Sequence, residues 1–503
     1  MEVELTQEIV TENVVSVTEN LTHQQANTND TEYELDQSES LTFLYNLLYD
    51  DQSYLSKSDI LSILNSLKLR EEKLPFSFIE NSSNDNQGVS WPPGLRTKFL
   101  RDRKRIGSKN WFHNITNSLE LSKKSINIKR FDSLTEFYKY DKFYSKLKLH
   151  ITHFQLRNLV CCSDFGKGIF YPSSYDHDFN LQTVNYESSN ESVYSFFKIN
   201  RLLNSKNDAK LDCIIDSRSL LKNSNSRIST LACSKNYLVS GTFEGDYILN
   251  RIDYDDSELI GEYNLTNNYD GITNSIIIKE EENQLIISSN DKFIRYIDLS
   301  NNSKQQVELP FAVNCLALNH QNPNEYFISG DDTNSYIIDQ RIPFDLSNIP
   351  RYKGQEDYSF SCDWSPSNEN WLLSGNQDGC VRIWDKRWQD PLYTWSGSLG
   401  SKEFDGNNNS GPVRNTKFSR TGEFICWAES LDHIGIMNVN DFNNDKVDRI
   451  QSIEFIGKCT GANFVYDGYN ENLIVGVNDC PLGGILSYNL ESRDKCLDFD
   501  LSF

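Results

Sequence analysis

Apolar residues from about residue 151 onward occur in short alternating runs rich in Ile, Val, Tyr and Phe, separated by Ser, Asn, Asp and Gly. Alternation with a period of two is typical of strands that bury one face, and the separating residues favour turns. The pattern therefore predicts an all-β region that extends from residue 151 to residue 503.

The predicted strands recur in a repeating unit of about 40 to 55 residues. Its clearest copy spans residues 358–396 and contains four strand segments, SFSCDWS, NWLLSGN, CVRIWDK and PLYTW. Further copies begin near residues 228, 272, 312, 413 and 461, and a degraded seventh copy begins at LRNLVCCSD. Each copy is expected to form one sheet whose apolar faces are covered by its neighbours.

The chain before the repeats has a different pattern. Residues 1–40 are polar, hold ten acidic residues and no Lys or Arg, and predict a disordered acidic tail. Apolar residues then recur at helical spacing in 41–49 and 60–67, with Ser40 and Ser56 as N-cap candidates. We predict a helical hairpin whose apolar stripe docks either on a partner helix or on the chain's own β region.

Charge is distributed unevenly along the chain. Of the net charge of −23, residues 1–40 carry −10, residues 41–90 carry −3, residues 91–150 carry +10, and residues 151–503 carry −20. We therefore predict a partly helical extension over 41–150 that includes a basic arm over 91–150. The centre of this arm reads RTKFLRDRKR, and its candidate binding residues are Arg101, Arg103, Lys104 and Arg105.

The segment SGNQDGCVRIWD, residues 374–385, resembles the second and third strands of a WD40 repeat and the turn between them. This resemblance implies a seven-bladed WD40 β-propeller, in which four-stranded blades surround a central channel. In such a blade a turn aspartate, a histidine, a Ser and a Trp form a buried hydrogen-bonded network. Here Gln355 replaces the histidine, so the network is expected to be incomplete. The resemblance gives structural roles to Ser374, Asp378, Trp384, Asp385, Asp291, Asp332, Asp432 and Asp479.

The stretch HFQLRNLV at residues 153–160, the basic arm and YSFSCDWSPSNENWLLSGNQDG together resemble one WD-repeat family of fungi and plants that is largely uncharacterised. A propeller closes when a strand from the beginning of the ring joins the last blade. Two segments, residues 151–156 and 193–199, are candidates for this closing strand.

Two successive repeats end in Asp-x-Arg, at residues 339–341 and 385–387. This double box resembles that of WD40 receptors which dock on the adaptor of a cullin-RING ubiquitin ligase. Arg341 and Arg387 are therefore candidate partner-binding residues. The alternative is that each Arg pairs with the Asp of its own repeat, forming a surface ion pair worth about 0–1 kcal/mol.

The sequence contains no motif of the common enzyme classes. It lacks G-x-x-x-x-G-K-S/T, G-x-G-x-x-G, G-x-S-x-G and H-E-x-x-H, and its seven His are dispersed. We predict no catalytic, cofactor-binding or metal-binding residue and no small-molecule substrate. Eleven Cys without a C-x-x-C pair are typical of reduced thiols, and no apolar run reaches the roughly 20 residues of a membrane helix. A cytoplasmic or nuclear protein without a membrane partner is expected.

These observations favour a non-enzymatic scaffold or adaptor that binds other proteins. A substrate receptor of a cullin-RING ubiquitin ligase is the first alternative. A nucleic-acid-associated factor that uses residues 96–111 is the second, because Lys and Arg alternate there with aromatic residues. The opposing interpretation of this arm is that it folds against the acidic body of its own chain.

Overall fold

The computed structural model describes residues 43, 56–68, 73–75, 84–96, 137–145, 147, 149, 158–163, 167–175, 196–204, 209–217, 227–253, 256–397, 412–429, 431–440, 450–466, 470–479 and 481–490. Across these residues the chain forms one α-helix, α1 (Lys57–Lys68), and 28 β-strands. Five of the sheets have four antiparallel strands each, in which consecutive strands are neighbours.

These five sheets are blades 1 to 5, numbered in chain order. Blade 1 contains β3 (Cys161–Ser163), β4 (Gly168–Tyr175), β5 (Phe196–Asn204) and β6 (Ala209–Asp216). Blade 2 contains β7 (Ile228–Cys233), β8 (Tyr237–Thr242), β9 (Asp246–Ile252) and β10 (Ser257–Asn264). Blade 3 contains β11 (Thr273–Lys279), β12 (Gln284–Ser289), β13 (Phe293–Asp298) and β14 (Lys304–Glu308). Blade 4 contains β15 (Val313–Leu318), β16 (Glu325–Gly330), β17 (Ser335–Asp339) and β18 (Arg351–Tyr352). Blade 5 contains β19 (Ser359–Trp364), β20 (Trp371–Asn376), β21 (Cys380–Asp385) and β22 (Tyr393–Ser396).

Blades 6 and 7 form one continuous eight-stranded sheet, because a 17-residue strand belongs to both. This strand, β26 (Ile450–Tyr466), is the last strand of blade 6 and the first strand of blade 7. Blade 6 also contains β23 (Val413–Phe418), β24 (Phe424–Glu429) and β25 (Leu431–Asn438). Blade 7 also contains β27 (Glu471–Asn478), β28 (Gly484–Leu490), β2 (Tyr138–Tyr144) and β1 (Lys73–Pro75).

The first strands of the seven blades form a closed ring. The first strand of each blade contacts the first strand of the next blade, and β26 of blade 7 contacts β3 of blade 1. In chain order these first strands are β3, β7, β11, β15, β19, β23 and β26. A backbone hydrogen bond of 3.0 Å from Leu159 N to the carbonyl oxygen of Thr460 joins the two ends of this ring. The fold is therefore a seven-bladed β-propeller, as the repeats predict.

A β-bulge near the start of the first strand links neighbouring blades. In blades 2 to 7 the pairing of the first strand with the second skips one residue at this point. Three skipped residues donate side-chain hydrogen bonds to a carbonyl oxygen of the next blade: Ser229 to Thr273 at 2.6 Å, Asn274 to Val313 at 3.0 Å and Asn314 to Ser359 at 3.0 Å. The bulge thus turns a side chain from its own sheet toward the neighbouring one.

The ring is closed by an N-terminal strand that the sequence did not indicate. β2 pairs antiparallel with β28, from Tyr138 opposite Leu490 to Tyr144 opposite Ile485. The candidate at 193–199 was wrong, because Phe196–Asn204 is the third strand of blade 1. The candidate at 151–156 lies outside the described residues. Part of the predicted helical extension is therefore the outer edge of blade 7.

The second helix predicted for the N-terminal hairpin is present as α1. The side chain of Ser56 accepts a hydrogen bond from Asp59 N at 3.2 Å, and the side chain of Asp59 accepts one from Ser56 N at 3.0 Å. These reciprocal bonds satisfy two backbone N–H groups at the start of α1. Within the described residues no helix is long and apolar enough to cross a membrane. Residues 41–49, the first predicted helix, lie outside the described residues except for Phe43.

The apolar face of α1 docks on blade 7 of the same chain. Its buried residues pack in one cluster with residues of the N-terminal segment and with two residues of blade 7: Phe43, Ile63, Leu64, Leu67, Val89, Leu95, Ile456 and Leu482. Gln87, which is fully buried, donates to the carbonyl oxygens of Ile456 at 2.9 Å and Leu482 at 2.8 Å and accepts from Ile456 N at 2.7 Å. The helix thus covers its own propeller.

Replacing this glutamine should loosen the N-terminal segment. In Gln87→Ala one buried N–H and two buried carbonyl oxygens lose their partner, and we expect a loss of about 2–4 kcal/mol in the stability of the docked segment. Hydrogen exchange of α1 and limited proteolysis before residue 96 would measure it. Gln321→Ala is the matched control, since Gln321 makes one exposed bond to Pro366 O. Equal exchange of α1 in the two variants would contradict the docking role.

Candidate interaction surface

Two of the predicted turn aspartates form buried ion pairs with an arginine four residues later. In blade 5 Asp378 accepts from the Nη1 and Nη2 atoms of Arg382 at 3.0 and 2.7 Å, and both side chains are almost fully buried. In blade 3 Asp291 accepts from Arg295 at 3.0 and 2.6 Å in the same way. Burial disfavours the charge of Arg382, but Asp378 outweighs this effect and raises the pKa of the guanidinium. These pairs hold the turn between the second and third strands.

Within the described residues, the side chains of Ser374, Asp378 and Trp384 in blade 5 are not hydrogen-bonded to one another. Trp384 donates instead to the carbonyl oxygen of Lys353 at 3.0 Å, and Ser374 donates to Asn376 at 2.9 Å. From Asn376 the chain of buried hydrogen bonds continues through Ser359 and Gln355 to Ser335, so Ser374 and Gln355 belong to one network. Because a glutamine amide both donates and accepts, Gln355 joins two serines where the WD40 pattern has a histidine, while the aspartate pairs with an arginine.

The remaining predicted aspartates lie in different surroundings. Asp332 accepts from Asn334 N at 2.8 Å within the turn of blade 4, and Asp479 accepts from Leu482 N at 3.3 Å in the corresponding loop of blade 7. Asp432 was assigned to a turn, but it is the second residue of β25 and is therefore part of a strand. Asp385 ends β21 and belongs to the exposed turn described next.

The two Asp-x-Arg boxes are matching turns after the third strands of blades 4 and 5. Arg341 donates to Asp339 at 2.9 and 2.6 Å, and Arg387 donates to Asp385 at 2.8 and 2.6 Å. The arginine side chains are 60% and 69% exposed, so each pair lies at the surface. The Nη1 groups make no hydrogen bond within the described residues. Each aspartate therefore holds a guanidinium group in one orientation with its outer edge toward solvent.

The paired arginines lower the pKa of both aspartates through side-chain hydrogen bonds. A carboxyl group with a lowered pKa stabilises the fold above its ordinary range near 4 and loses that contribution as the pH falls. Both aspartates are therefore ionised and paired with their arginines at neutral pH.

Large apolar side chains flank the two arginines. Ile342 follows Arg341 and is 66% exposed, Trp388 follows Arg387 and is 67% exposed, and Leu392 is 44% exposed. Large apolar side chains that cluster at a surface are typical of protein contacts, whereas isolated ones are not. We name Arg341, Ile342, Arg387, Trp388 and Leu392 the blade 4–5 patch.

Bonds between the two blades fix the parts of this patch relative to each other. Lys386 of blade 5 pairs with Glu325 of blade 4 at 2.6 Å, and Glu325 lies opposite Asp339 in the sheet. Tyr352 of blade 4 donates to the carbonyl oxygen of Lys386 at 2.7 Å. The connections between the third and fourth strands of both blades leave from the same end of the propeller, because each blade is an antiparallel meander. The two turns of the blade 4–5 patch therefore lie at the same end of two adjacent blades.

Of the basic arm over 91–150, the described residues are 91–96, 137–145, 147 and 149. Arg96 donates to the carbonyl oxygen of Glu454 and to Asn86, each at 3.0 Å, and so contacts its own chain in the part of β26 that pairs with blade 6. This contact agrees with the interpretation that the arm folds in cis. Arg101, Arg103, Lys104 and Arg105 lie outside the described residues. The described residues contain no group of three or more His, Cys, Asp or Glu that could hold a metal ion.

The two arginines are predictable from the sequence, whereas the strand pattern does not single out the apolar side chains beside them. A signal was present, because each Asp-x-Arg is followed directly by a large apolar residue, Ile342 or Trp388, in a turn where polar residues are the norm. Strand alternation does not extend into the turn, so it does not single out Ile342 or Trp388.

Comparison with known proteins gives the class of this chain. Residues 347–385 match the family described as WD domain, G-beta repeat. The matched residues include β18 of blade 4 and β19 to β21 of blade 5, so one WD40 repeat is recognised within the seven-bladed β-propeller. The chain is also similar to a THO complex subunit 6 homolog from Danio rerio, with 33% identity over 92 residues. These residues are 18% of this chain and 27% of the relative, so the chain spans about a quarter of that relative's length.

Proposed function

We propose that this protein is a non-enzymatic scaffold that holds partner proteins on the blade 4–5 patch. The observation that carries the proposal is the repeated unit of a locked guanidinium group and an exposed apolar side chain on two adjacent blades. WD40 repeats are typical of protein-interaction scaffolds. The relative from Danio rerio is by its name a subunit of a complex, which supports a role for this chain within a multiprotein assembly.

The patch also defines the chemistry of the partner. Trp388 and Ile342 offer apolar area for side chains such as Leu, Met or Phe, and tryptophan is the residue most enriched in binding hot spots. The outer edges of Arg341 and Arg387 offer N–H donors for carboxylate or backbone carbonyl oxygens. A partner segment with apolar anchors beside acidic residues fits both features.

Polar substitution of the two apolar anchors should release the partners. In full-length protein carrying Ile342→Ser and Trp388→Ser we expect bound proteins to fall roughly 30-fold, because loss of a hot spot costs at least about 2 kcal/mol. The measurement is affinity purification from cells of the source organism, with each captured protein quantified against wild type.

A matched control lies at the other end of the propeller. Tyr269, in the loop between β10 and β11, is fully exposed, and Tyr269→Ser should leave the captured proteins unchanged. If the double variant retains the same proteins as Tyr269→Ser, the blade 4–5 patch is not the binding surface.

A narrower proposal follows from the guanidinium groups. The double Asp-x-Arg box supports docking on the adaptor of a cullin-RING ubiquitin ligase, with Arg341 and Arg387 as the contacts. Arg341→Ala combined with Arg387→Ala should then abolish capture of the adaptor, while the fold persists because both side chains are exposed. Unchanged capture of the adaptor by this variant, or its absence from the wild-type complex, would exclude the receptor role.

A further inference from the structure

The third strand of blade 7 ends at the same end of the propeller as the blade 4–5 patch. In blade 4 the third strand ends at Asp339, opposite Glu325 at the start of the second strand. In blade 7 the third strand, β28, ends in the same way, with Asn489 opposite Asn472 near the start of β27. Because all seven blades follow the same chain order, residues 491–503 begin at the end of the ring that carries the patch.

β2 occupies the position that the chain after β28 would otherwise take. In blades 1 to 5 the chain turns after the third strand and forms the fourth strand of the same blade. In blade 7 this fourth position is filled by β2, which pairs with β28 from Tyr138 opposite Leu490. Residues 491–503 lie outside the described residues, and the fourth position of their own blade is closed to them.

The sequence of this segment combines the two features that the patch offers to a partner. Residues 496–503 read CLDFDLSF, with four large apolar residues, two aspartates and neither Lys nor Arg. Each aspartate directly follows a large apolar residue, as each arginine of the patch directly precedes one. An apolar contact with Ile342 or Trp388 and an ion pair with the neighbouring guanidinium group can therefore form side by side.

The segment is long enough to reach the patch. Around the ring, blade 5 is two blades away from blade 7 and blade 4 is three blades away. Neighbouring sheets pack about 10 Å apart and blades diverge outward, so the patch lies roughly 20–40 Å from the end of β28. An extended chain covers about 3.3–3.6 Å per residue, so residues 497–503 reach about 23–45 Å beyond Leu490. The distance therefore falls within the reach of the apolar and acidic residues.

We propose that residues 491–503 dock on the blade 4–5 patch of their own chain and compete there with partner proteins. This inference rests on the proposed function, because it adds an internal competitor for the same surface. A short tether gives an effective concentration of about 1 mM. If the segment alone binds with a Kd of about 0.1 mM, it occupies the patch for roughly nine-tenths of the time and weakens partner binding about tenfold.

The test uses a fluorescein-labelled peptide of residues 491–503 as the probe and fluorescence anisotropy as the measurement. The protein that lacks 491–503, called the shortened protein, keeps all described residues and should bind the peptide with a Kd of about 0.1 mM. Full-length protein should bind it about tenfold more weakly, because its own segment competes. Deletion of residues 1–40 is the matched control, since this segment carries −10 and its loss should leave the full-length affinity unchanged.

Substitutions on both sides of the contact locate it. In the shortened protein, Ile342→Ser combined with Trp388→Ser should weaken peptide binding at least tenfold, whereas Tyr269→Ser should not change it. In the full-length protein, Phe499→Ser combined with Leu501→Ser should raise the affinity for the peptide to that of the shortened protein. This last comparison remains decisive even if the shortened protein fails to fold.

Three results would overturn the proposal. One is that full-length protein, with or without the substitutions at Phe499 and Leu501, binds the peptide as tightly as the shortened protein. Another is that peptide binding survives the double substitution of Ile342 and Trp388. The third is that full-length protein forms dimers that are lost on removal of 491–503, which would place the segment on a second copy.

The capture of cellular proteins distinguishes a failure of this inference from a failure of the proposed function. If the Ile342 and Trp388 double variant loses its cellular partners but full-length and shortened proteins bind the peptide equally, the patch holds partners and has no internal competitor. If the peptide needs the patch but the captured proteins do not, the internal contact stands and the proposed function is wrong.

Discussion

A chain that lacks residues 1–145 is expected not to form a stable propeller. The deletion removes β2, whose Tyr138, Phe143 and Tyr144 are at most 3% exposed. At about 2 kcal/mol for each buried aromatic side chain, the loss is roughly 6 kcal/mol, comparable with the whole stability of many domains. It also leaves β28 as an unpaired edge, which favours aggregation. Soluble yield and the cooperativity of thermal unfolding would measure the effect.

Deletion of residues 1–40 is the matched control for this truncation. That segment contains none of the described residues of α1, β1 or β2, so the unfolding transition should remain at the wild-type temperature within about 2 °C. If the fragment 146–503 is soluble and unfolds cooperatively, another segment is able to close the ring. In a binding experiment, a comparison of the two deletions distinguishes binding by the acidic tail from binding by the basic arm and β2.

Substitution of Asp378 by Ala is expected to destabilise the protein by about 3–5 kcal/mol. The reason is that Arg382 remains buried with its charge uncompensated, and removing one partner of a buried pair costs far more than the pair contributes. Thermal unfolding and denaturant titration monitored by tryptophan fluorescence would measure the change. The same loss is expected for Asp291→Ala in blade 3, where the pair has the same spacing.

Two further variants distinguish this explanation from a general sensitivity of the turns. Asp339→Ala removes an ion pair whose arginine is 60% exposed, so its cost should stay below about 1 kcal/mol. Asp378→Leu combined with Arg382→Met removes both charges, and it should recover most of the loss seen in Asp378→Ala. A double variant as unstable as the single one would show that the charge of Arg382 is not the cause.

The blades were predictable because their signals are local. The first three strands of blade 5 are six-residue runs rich in apolar side chains, and turn-forming residues separate them, so the repeats and their order could be predicted from the sequence alone. The closing strand was not predictable in this way. β2 reads YKYDKFY, a sequence that fits many edge strands, and its partner β28 lies far away along the chain. Nothing local to either segment specifies the other.

The candidate site was predictable only in part, for a related reason. The Asp-x-Arg boxes stand out as short motifs, and their geometry follows from adjacent residues. The exposure of Trp388 depends on how the turn lies on the completed blade, which sequence does not give. The pair of Asp378 and Arg382 had a visible signal, since the spacing Asp-x-x-x-Arg occurs in blades 3 and 5.

The pairing of β2 with β28 has a consequence for synthesis on the ribosome. Translation produces Tyr144 about 350 residues before Leu490. At roughly 5–20 residues per second, β2 is outside the ribosomal tunnel for some 20 to 70 seconds before its partner emerges. During that interval the nascent chain carries an aromatic-rich strand without its sheet, so chaperones that bind exposed aromatic side chains should engage this protein at its N-terminal end. The chaperones should release β2 once β28 of blade 7 has been synthesised and can pair with it.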